Sequence, residues 1–91
     1  MSENKDAILR IREFILLKFP LARKRKVGDG DNLLENGIID SLGVLDIVTF
    51  FQQEFSVAVA DEDLTPENFQ NIACMAQFVE RSLELQPGSA E

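Results

Sequence analysis

The segment from Asp40 to Phe55 constrains this chain more than any other. Leu42, Leu45, Val48, Phe51 and Phe55 recur at steps of 3, 3, 3 and 4 residues, the repeat of an apolar helical stripe rather than the alternation of a strand. Asp46, Gln52, Gln53 and Glu54 mark the wetter side. Ahead of the stripe, Asn36-Gly37 makes a turn and Ile38-Ile39 leads to Asp40. Asp40 is placed to cap the helix, its carboxylate accepting from the open amides of the first turn. Ser41 then stands where the loop becomes a helix over about Ser41–Glu54. One helix with one apolar stripe has to be covered by others.

The rest of the chain supplies them. Ile8, Ile11 and Ile15, with Phe14 beside them, predict an amphipathic helix from about Asn4 to Phe19, ended by Pro20. Residues 20–40 read as a long connection without regular structure, held down by Leu33, Leu34, Ile38 and Ile39, and a loop of that length is often functional. Ser56–Ala60 alternates but has no strand to pair with, so it reads as an extended linker that buries Val57 or Val59. Asp61-Glu62-Asp63-Leu64 reads as an acidic helical turn. Thr65-Pro66 opens a second short turn, with proline at the first helical position. Ile72, Met75 or Ala76, Val79 and Leu83 predict a last helix over about Asn71–Leu83, before a loose tail over residues 85–91. The expected fold is all-α: a small four-helix bundle, three main helices and one short one, with a long first loop. The expected organisation is a single domain over residues 1–91, with its core at about 5–84.

Composition narrows the function. The chain has 91 residues, no histidine and one cysteine, Cys74. Ser-His-Asp and Cys-His devices are therefore impossible, a zinc site is not expected, and no intramolecular disulfide can form. No Gly-rich nucleotide loop occurs. Sixteen acidic against nine basic residues give a net charge of −7, which argues against nucleic acid and anionic membranes and suits docking on basic patches of partner proteins. There is no signal-peptide pattern and no apolar run long enough to span a membrane, so a cytoplasmic monomer is expected.

Two readings of Ser41 stand beside each other on local physics. In one, Asp-Ser is only a helix cap. In the other, the exposed hydroxyl at the positive end of a helix carries a phosphodiester, which the free backbone amides favour, while Asp40 does the capping.

The octamer Glu35-Asn36-Gly37-Ile38-Ile39-Asp40-Ser41-Leu42 resembles the Asp-Ser-Leu attachment motif of acyl and peptidyl carrier proteins. The resemblance extends over roughly residues 5–84: the first helix, the long loop with its Leu-Leu-Glu-Asn-Gly approach, a second helix ending Gln-Glu-Phe, the acidic turn Asp61-Glu62-Asp63 and a closing helix follow in the family's order. It implies that Ser41, flanked by Asp40 and Leu42, carries 4′-phosphopantetheine added from coenzyme A by a phosphopantetheinyl transferase. It also implies an acyl or aminoacyl thioester on that arm, an activating ligase and a downstream acyltransferase or synthase as partners, and no catalysis by the chain itself. Gly43, Val44, Asp46 and Phe50 would then meet the partner enzymes. Val44, Leu45, Val48 and Phe51, with Ile72 and Val79 opposite, would bound any cavity for an acyl chain.

Fatty-acid carriers show a dense acidic row on the second helix. Here Asp46 and Glu54 are the only acids after Leu42 on that helix, which favours a specialised lipid, aminoacyl or secondary-metabolite pathway over housekeeping fatty acid synthesis. The alternative from another class is a small acidic helical interaction domain in which Ser41 is a cap and nothing more.

Four features outside the motif have plainer readings. Arg23-Lys24-Arg25-Lys26 is expected to be a solvated loop. Asp29-Gly30-Asp31-Asn32 lacks the distal ligands of a calcium loop and reads as a turn. Cys74 is expected to pack in the core. Phe50 and Phe51 cannot both face inward, and Phe50 is the one expected at the surface, as a docking contact or at the mouth of an acyl site.

Overall fold

The computed structural model describes the backbone of residues 3–84 and the side chains of residues 6–83; the expected loose tail lies outside the described residues. The chain forms α1 (Glu3–Lys18), α2 (Pro20–Arg25), α3 (Ser41–Phe55), a 3₁₀ turn (Asp61–Asp63), α4 (Pro66–Phe69) and α5 (Ile72–Glu84). No strand occurs among the described residues, and the fold is the all-helical bundle that the sequence predicts. α1 packs chiefly against α5.

The basic segment differs from expectation. Pro20 does end α1, with the Phe19 amide donating to the Ile15 carbonyl at 2.9 Å, but it also occupies the first position of a new helix. Proline is pre-set for that position, where its missing N–H is no loss. Arg23–Arg25 therefore lie in a helix, not a loop, and Lys26 closes it in the left-handed region at φ 52°. The bases suit the last turn, where the helix dipole is negative. Arg23 Nη1 also donates to the Leu16 carbonyl at 2.7 Å, satisfying a group left open by the end of α1.

The stripe of α3 is phased differently as well. Gly43, Ile47 and Phe51 are the buried residues, whereas Leu42 is 72% and Leu45 53% exposed. The reason is geometric. At 3.6 residues per turn each three-residue step lags by about 60°, so three such steps carry Leu42 to the side opposite Phe51. Four-residue steps drift less and keep Gly43, Ile47 and Phe51 together.

The core draws on all five α-helices and the segments between them. Ala7, Ile11 and Ile15 enter from α1, Ile72, Met75, Ala76 and Val79 from α5, and Val57 from the extended linker, where Val59 is half-buried. Leu83 departs from its expected stripe and is 41% exposed. Three rings from three helices meet at the centre: Phe51 stacks on Phe69 at 5.9 Å and on Phe78 at 6.2 Å.

The long loop is pinned by its apolar residues and by backbone bonds. Leu33, Ile38 and Ile39 are buried and Leu34 half-buried, as expected. The Leu33 amide donates to the Gln70 carbonyl at 2.7 Å, and the Ala73 amide to the Asp29 carbonyl at 3.1 Å. These bonds tie the approach to Ser41 to the junction of α4 and α5. Asp29 also pairs with Arg12 at 3.0 Å, and Asp31 accepts from the Gly28 amide at 2.7 Å, so this acidic stretch is built as a turn.

Candidate functional site

Asp40 has extended backbone angles, φ −113° and ψ −170°, and its Oδ1 accepts from the Gly43 amide at 2.9 Å. That is N-cap geometry, and it makes the cap independent of Ser41. Ser41 is the first residue of α3, is exposed, and forms no side-chain hydrogen bond with a described residue. Its hydroxyl is free for chemistry, at the end of a helix whose partial positive charge favours an anionic substituent.

The loop that delivers Ser41 is set by Gly37, whose φ of +73° lies in the region that a residue with a side chain rarely adopts. From that turn Ile38 and Ile39 drop into the core, with their amides donating to the Leu33 carbonyl at 3.0 and 3.2 Å. The serine is thus held at the surface by two buried neighbours just before it.

Ser41 opens onto a groove of about 370 Å³ lined by Leu34, Val44, Leu45, Leu64, Thr65, Pro66 and Phe69. Its walls come from the long loop, α3, the residue after the 3₁₀ turn, and α4. They are mostly apolar. Leu42, Leu45 and Leu64 add exposed apolar surface beside the serine.

The other expected site residues are distributed unevenly. Val44 is half-buried and lines this groove. Gly43 offers no surface to a partner. It is buried against Phe19, and a Cβ placed on it would lie 2.8 Å from the Phe19 ring and 3.0 Å from Ile39. Asp46 is exposed but faces Lys18, with 3.9 Å between charged atoms. Phe50 is half-buried, stacks on Phe14 at 4.2 Å, and lines a separate groove of about 230 Å³ with Phe14 and Leu17.

Of the residues expected to bound an acyl cavity, Val44 and Leu45 line the groove at Ser41. Phe51, Ile72 and Val79 are fully buried instead, and the Phe51 ring stacks on Phe69 at the centre. Cys74 is half-buried. Its Sγ receives the Gln70 side chain at 3.7 Å, while its amide is capped by Asn71 Oδ1 at 2.7 Å.

Sequence reasoning missed Leu34, Leu64, Thr65, Pro66 and Phe69 as neighbours of Ser41. Only the apolar Leu64 beside an acidic turn signalled a surface with a purpose. The pairing of α3's two acids with α1 was also not foreseen: Glu54 meets Arg10 at 2.6 Å, as Asp46 meets Lys18.

Among the described residues no helix is long and apolar enough to cross a membrane. No protein-family model matches the chain. The chain is similar to the probable acyl carrier protein PigG of Serratia sp. (strain ATCC 39006), with 35% identity over 49 residues, or 54% of this chain and 56% of that relative. The chain thus spans little more than half the length of the curated relative it matches.

Proposed function

We propose that this chain is an acyl carrier protein, a single carrier domain that bears 4′-phosphopantetheine on Ser41 and presents an acyl or aminoacyl group to partner enzymes. The observation that carries the reading is the freedom of the Ser41 hydroxyl. It is exposed, without a hydrogen bond among the described residues, and at the first position of α3, while Asp40 caps the helix without it. A serine that served only as a cap would have its oxygen on a backbone amide. The similarity to a probable acyl carrier protein supports the same reading, as does the resemblance over residues 35–42.

The residues around Ser41 fit the group. The first-turn amides of α3 and the helix dipole favour the phosphate, and the apolar groove suits the stem of the arm. When attached, phosphopantetheine supplies the thiol on which the cargo is held as a thioester. The chain itself mounts the arm on a rigid helix, and the tether raises the effective concentration of the cargo at each partner's active site. Chemistry on the cargo belongs to an activating ligase and to an acyltransferase or synthase. With both acids of α3 engaged by α1, the pathway we favour is a specialised lipid, aminoacyl or secondary-metabolite one, and the compartment the cytoplasm.

The test is intact mass after incubation with coenzyme A and a broad-specificity phosphopantetheinyl transferase. One added phosphopantetheine is expected on the wild-type chain and none on Ser41→Ala. An addition that survives Ser41→Ala, or no addition to the wild type, returns Asp40-Ser41 to the role of a plain cap in an interaction domain.

A further inference from the structure

A basic segment and an acidic segment lie near Ser41, with the exposed acids Glu35 and Asp40 in the approach itself. α2 runs alongside the approach to the serine. Its N-cap residue, Phe19, contacts Gly43 just after Ser41, and Arg25 near its end donates to the Asn36 carbonyl at 3.4 Å, just before. This helix and its cap residue hold Arg23, Lys24, Arg25 and Lys26, four of the nine bases in the chain. All four are exposed, and none forms an ion pair with a described residue. The carbonyls that Arg23 and Arg25 reach orient these side chains without neutralising them. Arg10, Arg12 and Lys18, by contrast, are each paired with an acid.

A second element brings the opposite sign. Leu64, Thr65 and Pro66 line the groove that Ser41 opens onto, and they are bracketed by Asp61, Glu62 and Asp63 on one side and Glu67 on the other. None of these four acids is in an ion pair with a described residue. Beside the exposed Asp40 and Ser41, three apolar side chains are also exposed: Leu42, Leu45 and Leu64. The acids of α3 are engaged elsewhere, Asp46 by Lys18 and Glu54 by Arg10.

We infer that this face is a dipolar docking surface for the enzyme that modifies Ser41, a phosphopantetheinyl transferase whose own rim bears carboxylates where it meets α2 and basic groups where it meets residues 61–67. The inference rests on the carrier reading of Ser41. The occupant follows from reach. Enzymes that act on the cargo meet the far end of a long arm, but the modifying enzyme must bring its active site to the serine oxygen and so cover both charged segments. Apolar contact at Leu42, Leu45 and Leu64 holds the complex, and the paired signs fix its orientation and exclude partners of uniform charge.

Steady-state modification kinetics on the full chain separate this from simple attraction by net charge. Lys24→Glu with Lys26→Glu makes the chain more acidic, and Glu62→Lys with Glu67→Lys makes it less so. Dipolar docking requires both double variants to raise KM for the carrier, each by roughly tenfold. Attraction of an acidic carrier to a basic enzyme moves the two in opposite directions. Glu13→Lys, on the exposed part of α1, is the control and should leave KM unchanged. Lys24→Gln with Lys26→Gln should give a smaller rise than the reversal, and thermal melts establish that each variant is folded.

A fall or no change in KM for either double reversal overturns the inference. So does a change confined to the KM for coenzyme A, which would place the bases on the nucleotide and not on the enzyme. Failure of the wild-type chain to be modified removes the carrier reading and the docking surface with it.

Discussion

Asp40 and Ser41 are adjacent and do different work. The carboxylate of Asp40 closes the first turn through the Gly43 amide, and the hydroxyl of Ser41 is left uncommitted. Asp40→Ala should therefore cost on the order of 1 kcal/mol of stability, as lost N-caps do, and should also slow modification of Ser41. A urea or thermal denaturation curve checks the first effect, and an unchanged midpoint would mean that the cap contributes nothing. The capping role of Asp40 was legible in the sequence because capping is local, whereas the types and order of residues 36–41 left two readings of Ser41 open. The exposure of Leu42 and Leu45 was not legible, because a spacing of three satisfies the eye as a stripe while its phase creeps around the helix.

At the scale of elements, the contact that positions the site is the meeting of α3 with the junction of α1 and α2. Gly43 makes it possible, since Phe19 and Ile39 occupy the space that any side chain there would need. Gly43→Ala has two opposed effects. Removing glycine from a helix interior gains up to about 1 kcal/mol of propensity, and forcing a methyl against a packed ring costs about 1–3 kcal/mol. The clash should win, because 2.8 Å to the Phe19 ring requires that ring to move, and it also rests edge-on against Phe14 at 6.4 Å. A net loss of about 1 kcal/mol is expected from urea midpoints, whereas a stabilised variant would show that the ring yields freely. A glycine two residues into a helix was visible in the sequence, but its partner was not, because the contact spans 24 positions of chain. The same is true of α2. Pro20 punctuates the chain in a way that marks both an end and a beginning, and only packing of Ala22 and Val27 into the core decides that a helix follows.

Across the whole molecule the bundle is organised by rings that come from separate helices. Phe51, Phe69 and Phe78 belong to α3, α4 and α5, and Phe55 joins Phe51 at 6.1 Å. The class of fold was readable from helical periodicity alone, since each stripe predicts a helix without knowledge of its neighbours. The centre was not, because periodicity assigns Phe51 to a face without naming what it stacks on. The groove at Ser41 is likewise a product of assembly, drawing Leu34, Val44 and Leu64 from three separate segments.

The closed aromatic centre has a consequence for thermodynamic linkage. A group that binds the folded chain and not the unfolded one raises stability in proportion to that preference. With Phe51, Phe69 and Phe78 stacked at the centre, the interior offers no such preference for an acyl chain on the proposed arm. If Ser41 bears the proposed arm, melting temperatures of the chain loaded with a short and with a long acyl group should coincide, and a rise with chain length would show the rings parting to admit it. On the proposed carrier reading, the folding equilibrium of the chain would then be uncoupled from the length of an acyl group on Ser41, and discrimination between such groups would fall to the partner enzymes.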